Sequence, residues 1–356
     1  MLEVSLKKTL GKFTLQSSFT ADKGVLGILG ASGCGKSMTL KCISGLQTPD
    51  EGSIRLNGAL LFSSESKVNI PSRERNIGYV FQNYALFPHL TVRQNIAYGM
   101  KHFEKSQRAQ KVTHMIEKMQ LKGLEHHYPS QLSGGQQQRT ALARTLITEP
   151  DLLFLDEPFS ALDSHIKYLL EKELMKIIKE NFNGIVLLVT HNIEEAYRIC
   201  DQIMIMDQGL NLQLGPKEDI INKPINLTTA RITGCKNILD VSILEEHKDY
   251  LLLKSNALIF KAANNQIPLS DSMLAGIRAH HLRLYSEKSH KDNVFDCEIM
   301  EKIEGVFSTT IIVNCGGNVL QLEIAKASCP HISESNTNKI KLHIPMKHVF
   351  LMENDL

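Results

Sequence analysis

Long hydrophobic runs are missing from this 356-residue chain. Its apolar stretches, such as Leu152–Leu155 and Ile185–Val189, fall far short of the roughly 20 residues that cross a bilayer. Any membrane role is therefore expected to come through a partner. The opening MLEVSLKKTLGKF has no continuous apolar core after its charges, so no cleaved signal peptide is expected. Charge of one sign is also scarce: 40 basic against 38 acidic residues leave a formal +2, with no basic stripe or tail. Nucleic acid is not an expected partner on that ground. The seven cysteines form no CxxC pair, and their odd number fits a reducing cytosol rather than a disulfide framework. What remains has the composition of an ordinary globular protein, long enough for two domains.

Residues 1 to about 229 alternate strand-like and helical patterns, which predicts an α/β domain with a largely parallel sheet and an antiparallel edge. Ile54–Leu56 followed by Asn57-Gly58 reads as a hairpin at that edge. Between about 91 and 149 the pattern is helical: Val112, Met115, Ile116 and Met119 fall at helical spacing, and Thr91 with Gln94 forms a capping box. From about 230 to 356 the texture is β-rich, with Gly316-Gly317 as a turn, and predicts a small all-β barrel or sandwich.

GASGCGKS, residues 30–37, matches G-x-x-x-x-G-K-[ST] and sits between an apolar strand (Val25–Leu29) and a helix (Met38–Ser44). Glycines at 30, 33 and 35 let backbone N–H groups turn inward around phosphates. Lys36 supplies a charge to the β- and γ-phosphates, and Ser37 a hydroxyl ligand for Mg²⁺. Cys34 reads as a small filler. A second strand ends in Asp156-Glu157, where Asp156 would hold Mg²⁺ and Glu157 polarise the attacking water. A third ends in His191, a candidate γ-phosphate contact. Ser133 with Gln136 forms a capping box that opens a helix with Gly134 and Gly135. Taken alone, that segment fits either a ligand-free capped helix or an anion site.

GASGCGKS, Gln82 in YVFQN, LSGGQ (132–136), LLFLDEP, SALD (160–163) and His191 together resemble the nucleotide-binding subunit of ATP-binding cassette (ABC) transporters. The resemblance implies a P-loop NTPase cassette over 1–229 that binds ATP and Mg²⁺. It implies Gly30, Ala31, Ser32, Gly33, Cys34, Gly35, Lys36, Ser37 and Met38 around the nucleotide, with Ser37, Gln82 and Asp156 at the metal. Glu157, His191 and Gln82 become the catalytic set. Ser133, Gly134, Gly135 and Gln136 would reach the ATP of the other subunit in a head-to-tail homodimer, with Asp163 making contacts across it. Leu10 stands where an aromatic residue usually stacks on adenine, and Phe13 is the substitute.

One cassette followed by a β domain resembles importer subunits that serve transmembrane permeases and, indirectly, an extracytoplasmic oxyanion-binding protein. This implies a place on the cytoplasmic face of the membrane. ARITGCKNIL (230–239) and GIRAHHLRL (276–284) look like molybdate-importing ATPases, whose C-terminal unit is an OB/MOP-like (TOBE-type) regulatory or dimerisation domain. Importers of tungstate, sulfate, iron and polyamines share this plan. An ABC ATPase acting on DNA or ribosomes is the alternative from another class. Ser308, Thr309 and Lys302 are the nearest oxyanion candidates in the β domain, against a purely bracing role. His280-His281 and His126-His127 read as solvated pairs rather than metal ligands.

Overall fold

Two kinds of strand meet in one sheet. The computed structural model describes residues 1–100, 104–160, 164–264, 273–285, 292–326 and 338–354. They divide into two units, Met1–Lys217 and Glu218–Leu356. Among the described residues, the first unit contains β1 (Leu2–Leu10), β2 (Phe13–Ala21), β3 (Gly24–Leu29), β4 (Glu51–Leu56), β5 (Ala59–Ser63), β6 (Val68–Asn69), β7 (Ile77–Val80), β8 (Leu152–Asp156), β9 (Ile185–Thr190), β10 (Gln202–Asp207) and β11 (Leu210–Pro216). Their order across the sheet is β6-β5-β4-β1-β2-β11-β10-β3-β9-β8-β7.

β10, β3, β9, β8 and β7 run parallel, whereas β6, β5, β4, β1 and β2 pair antiparallel. The sheet is thus mixed, with an antiparallel part as wide as the parallel one rather than a mere edge. Burial explains the difference. β8 and β9 are buried along their whole length, as strands covered on both faces must be. β2 alternates buried with exposed residues and so wets one face. The Asn57-Gly58 turn between β4 and β5 has positive φ at both positions, as a tight hairpin of this hand needs.

The helices of this unit are α1 (Lys36–Ser44), α2 (Val92–Ala97), α3 (Lys105–Lys118), α4 (Gly134–Leu146), α5 (Ser164–Asn181) and α6 (Ile193–Ile199). α2 packs on α3 and α4, within the stretch the sequence marks as helical. Both bonds of the Thr91 capping box form at its start. Val112, Ile116 and Met119 are buried while Met115 is half-buried, so this face is core. Behind α1 lies Arg75, 2% exposed, whose guanidinium donates to the carbonyls of Cys42 (3.1 Å), Ile43 (2.7 Å) and Ile70 (2.8 Å) and to Asn69 Oδ1 (2.9 Å). It caps the C-terminal end of α1, where unpaired carbonyls and the helix dipole favour a cation.

The second unit opens with most of α7 (Lys217–Asn222) and then α8 (Leu227–Ile232). The strands that follow are β12 (Asn237–Glu246), β13 (Tyr250–Ser255), β14 (Leu258–Ala263), β15 (Met273–Ile277), β16 (Arg283–Leu284), β17 (Val294–Glu304), β18 (Ser308–Cys315), β19 (Asn318–Ala325), β20 (Lys339–His343) and β21 (Phe350–Glu353). They form two five-stranded antiparallel sheets, β14-β13-β12-β15-β21 and β16-β20-β17-β18-β19. One core joins them, with Leu253 and Phe260 of the first sheet packed in the same cluster as Val313 and Leu320 of the second.

The sequence division at 229/230 falls inside α8. Leu227 and Ala230 pack with Leu274, Phe350 and Met352 of this unit, and Arg278 donates to the carbonyls of Thr233 (2.7 Å) and Ile221 (2.5 Å). The helices before residue 230 therefore belong with the β sheets, although nothing in their texture is β-like. The solvated reading of His280-His281 also fails in part. The His281 ring stacks on His348 at 3.8 Å and touches His280 at 4.2 Å. Burial, with His348 and His280 alongside, holds the His281 imidazole down at about 4. Among the described residues no group of three or more His, Cys, Asp or Glu is arranged to hold a metal.

Replacing Arg75 by Leu would strand the buried acceptors that it serves. We expect Arg75→Leu to lower the unfolding free energy of the first unit by about 3 kcal/mol, measured by denaturant titration. A loss under about 1 kcal/mol would contradict this account of α1.

Candidate functional site

Strand register decides what meets at the carboxyl edge of the parallel strands. Leu29 of β3 pairs with Thr190 of β9, Asp156 of β8 with Val189, and Val80 of β7 with Leu155. The residues that follow these four strands leave the sheet side by side.

After β3 the chain enters the loop 30–35. Gly33 (φ +82°) and Gly35 (φ +112°) take backbone conformations that a side chain disfavours, and no atom lies within 4 Å of where a Gly33 Cβ would be. Gly30 is glycine for another reason, since a Cβ there would lie 2.1 Å from the Met206 carbonyl of β10. Lys36, 5% exposed, folds back so that its ammonium donates to the carbonyls of Gly30 (2.9 Å) and Ala31 (2.8 Å). A buried cation thus lies within the loop, where its charge favours an anion such as a phosphate. Ala31 and Ser32 are exposed, while Met38 is half-buried against the core. Cys34 is buried filler, and that burial pushes its thiol up.

Asp156 accepts from two sides. The Ser37 hydroxyl donates to Oδ1 at 2.9 Å and the Tyr79 hydroxyl to Oδ2 at 2.8 Å. Burial and the carboxylate push the Tyr79 phenol well up, so it remains a donor. Ser37 and Asp156 together offer hard oxygen ligands of the kind Mg²⁺ takes. Glu157 follows with φ +46°, a left-handed backbone uncommon outside glycine, and its N–H donates to the Val189 carbonyl at 3.0 Å. Its carboxylate lies 3.4 Å from His191 Nδ1. Gln82 is exposed, and its amide donates to Ser160 Oγ (3.0 Å), which donates in turn to the Glu157 carbonyl (2.9 Å).

The structure therefore brings Lys36, Ser37, Gln82, Asp156, Glu157 and His191 together. Ser133 and Gln136 form both bonds of their capping box at the start of α4. Gly135 has a packing reason in its own chain, because a Cβ there would lie 3.0 Å from Leu170 of α5. Phe13 is half-buried, its ring 3.3 Å from where a Gly35 Cβ would be, while Leu10 is 45% exposed. Asp163 lies outside the described residues. In the second unit Lys302 is paired with Glu304 at 3.1 Å, the Ser308 hydroxyl donates to Glu323 at 3.1 Å, and Thr309 is buried.

Three participants escaped the sequence reading. Tyr79 is one, standing in YVFQN three residues before Gln82 with no role assigned to it. Gln138, 2% exposed on α4, donates to the Pro158 carbonyl at 2.9 Å, just past Glu157. Arg144, also on α4, donates to the carbonyls of Tyr84 (2.9 Å) and Ala85 (2.7 Å), two consecutive residues with positive φ. Of the apolar residues after Gln82, Ile96 is fully buried in the helical segment. Leu86, Phe87 and Leu90 stay half-buried, with Phe87 against Tyr98 and under the Arg144 guanidinium.

The family model described as ABC transporter matches residues 16–160. An Fe(3+) ions import ATP-binding protein of Haemophilus influenzae is 40% identical over 65% of this chain and 66% of its own length. A molybdate/tungstate import ATP-binding protein of Pyrococcus horikoshii is 36% identical over 92% of this chain and 93% of its own length. Proteins named for sulfate/thiosulfate and for spermidine/putrescine import match as well. Among solved structures, the dimeric post-hydrolysis state of the ATP-binding cassette MJ0796, bound to ADP and Pi, is 26% identical with a TM-score of 0.50, covering 61% of this chain and 99% of that one. With this site on this sheet, and a relative matched across both units, the chain belongs to the ABC transporter family of ATP-binding proteins.

Proposed function

We propose that this chain is the ATP-hydrolysing subunit of an ABC importer, working as a homodimer on membrane permease subunits. The observation that carries this reading is the meeting of Lys36, Ser37, Asp156, Glu157 and His191 where four parallel strands end. Lys36 takes the β- and γ-phosphates, exchanging the two loop carbonyls it now holds for the substrate. Ser37 and Asp156 form the Mg²⁺ ligand set with Gln82, and the ion, when bound, supplies charge neutralisation at the phosphates. Tyr79 fixes the Asp156 carboxylate. Glu157 orients and polarises the attacking water, held at its angle by the Val189 bond and the Ser160 bridge. His191 stands beside that carboxylate to contact the γ-phosphate. Phe13 is the nearest ring for the adenine.

The N-terminus of α4, with Ser133, Gly134, Gly135 and Gln136, supplies N–H groups to the nucleotide held by the partner subunit, and Asp163 makes contacts across the same interface. The dimeric, ADP-bound relative supports that arrangement. The pocket is then complete only on closure, which couples hydrolysis to movement of the permease. We assign the subunit to the cytoplasmic face through its permease partner, a reading supported by its similarity to import ATP-binding proteins; no described helix is long and apolar enough to cross a membrane. The second unit acts as a regulatory or dimerisation domain.

For cargo we propose molybdate or tungstate. Support comes from coverage: relatives named for molybdate/tungstate and for molybdenum import align over 92% and 93% of the chain, one named for spermidine/putrescine over 80% and the iron-import one over 65%. An extracytoplasmic oxyanion-binding protein would deliver the cargo.

Glu157→Gln should retain ATP binding, accumulate an ATP-held dimer and lower kcat at least about a hundredfold. Undiminished turnover would remove Glu157 from its role. Lys36→Ala is expected to weaken ATP binding by about thirtyfold, read by equilibrium titration, with unchanged affinity counting against the loop assignment. Cells lacking the chain should lose uptake of tracer molybdate and regain it with the wild type but not with Glu157→Gln. Loss of sulfate or ferric iron uptake instead would name a different cargo.

A further inference from the structure

Two buried carboxylates lie beside the site without taking part in it. Glu171 of α5 and Glu195 of α6 each have side chains only 3% exposed. Lys167 Nζ lies 3.1 Å from Glu195 Oε2, and the Arg198 guanidinium donates to Glu171 Oε2 through Nε (3.1 Å) and Nη2 (2.8 Å). Lys167 and Glu171 are four residues apart on one face of α5, and Glu195 and Arg198 three apart on α6. The helices are thus tied by two crossed ion pairs. The second oxygen of each carboxylate, Oε1, is buried with no partner. Each acid therefore depends on a single cationic partner.

Such pairs add little net stability compared with apolar packing, but removing one member leaves a buried charge unmatched. Their use is in fixing geometry, and what they fix here is the His191 turn. The Glu195 N–H donates to Asn192 Oδ1 at 3.1 Å, and the Asn192 N–H donates to Thr190 Oγ1 at 3.0 Å. Burial and Glu171 push the Glu195 acid up, while Lys167 and the Thr190 hydroxyl pull it back. Thr190, Asn192 and Glu195 therefore brace the turn whose outermost residue, His191, faces Glu157. Lys167 reaches that brace from the first turns of α5, the helix that follows the SALD segment.

We propose that the Lys167–Glu195 pair is a positioning device that ties α5 to the Thr190–Asn192 turn and so sets where His191 stands relative to Glu157. The inference rests on the ATPase reading above. A shift of α5 on closure of the dimer is passed to His191 through this pair rather than through the sheet.

Lys167→Met and Glu195→Gln test it, with Lys167→Arg as the conservative variant and thermal unfolding followed in parallel. Both neutral variants should lower kcat about tenfold while leaving KM for ATP and equilibrium ATP binding within about twofold. The double variant should be no worse than either single one, and Lys167→Arg should recover most of the rate. Wild-type kcat in folded Lys167→Met would overturn the proposal. So would a loss that appears equally in KM and kcat, or one that vanishes at temperatures well below unfolding, since both mark a merely structural pair. If Glu195→Gln does not fold, Lys167→Met and Lys167→Arg decide alone. Absence of hydrolysis in the wild type would instead overturn the ATPase reading, and this inference with it.

Discussion

Parallel register at one sheet edge is the constraint on which everything else hangs. The pairings of Leu29 with Thr190, Asp156 with Val189, and Val80 with Leu155 bring groups from distant parts of the chain into one site. A slip of one residue in β8 or β9 would turn every side chain to the opposite face, burying Glu157 or withdrawing His191. β8 and β9 are buried along their whole length, so their register is held by how the side chains on both faces fit their neighbours rather than by an inside/outside alternation. The hydrophobic layer is therefore what positions the polar one.

On that edge the chemistry is held by bonds to backbone rather than by side chains alone. Lys36 is bent onto two carbonyls, Glu157 is anchored through its N–H, and Gln82 reaches it only by way of Ser160. The positive φ at Glu157 is the kind of strain that persists where surroundings over-determine it. α4 contributes at three levels. Its start carries the Ser133 cap, Gln138 in its middle bonds the Pro158 carbonyl, and Arg144 near its end holds the Tyr84–Ala85 bend. One helix thus touches the segments after both Glu157 and Gln82, which is a physical route between the site and the exposed loop that follows Gln82.

Much of this was legible in the sequence because it depends on local patterns. The GASGCGKS loop, the strand ending in Asp156-Glu157, both capping boxes and the Asn57-Gly58 and Gly316-Gly317 turns are short motifs whose geometry follows from nearby residues. What the sequence hid depends on distant partners. Tyr79 in a strand and Arg75 in a loop look ordinary until Asp156 and the end of α1 arrive beside them. Lys167 and Glu195 look like solvated charges at helical spacing. The width of the antiparallel part was visible in principle, since β2 alternates cleanly, but the Leu- and Val-rich parallel strands dominated the pattern. The unit boundary was missed because α7 and α8 are helices recruited by a β core.

The central claim is that each site is completed by the other subunit's α4. Mixing two inactive variants tests it directly: Lys36→Ala, which loses its own loop, and Ser133→Arg, which blocks the helix offered to the partner. If sites are shared, the mixed dimer contains one pocket with an intact Lys36 facing an intact Ser133, and ATP hydrolysis returns where neither variant alone shows any. If mixing restores nothing although mixed dimers form, both groups serve the same subunit's site, and the account of a composite pocket is wrong.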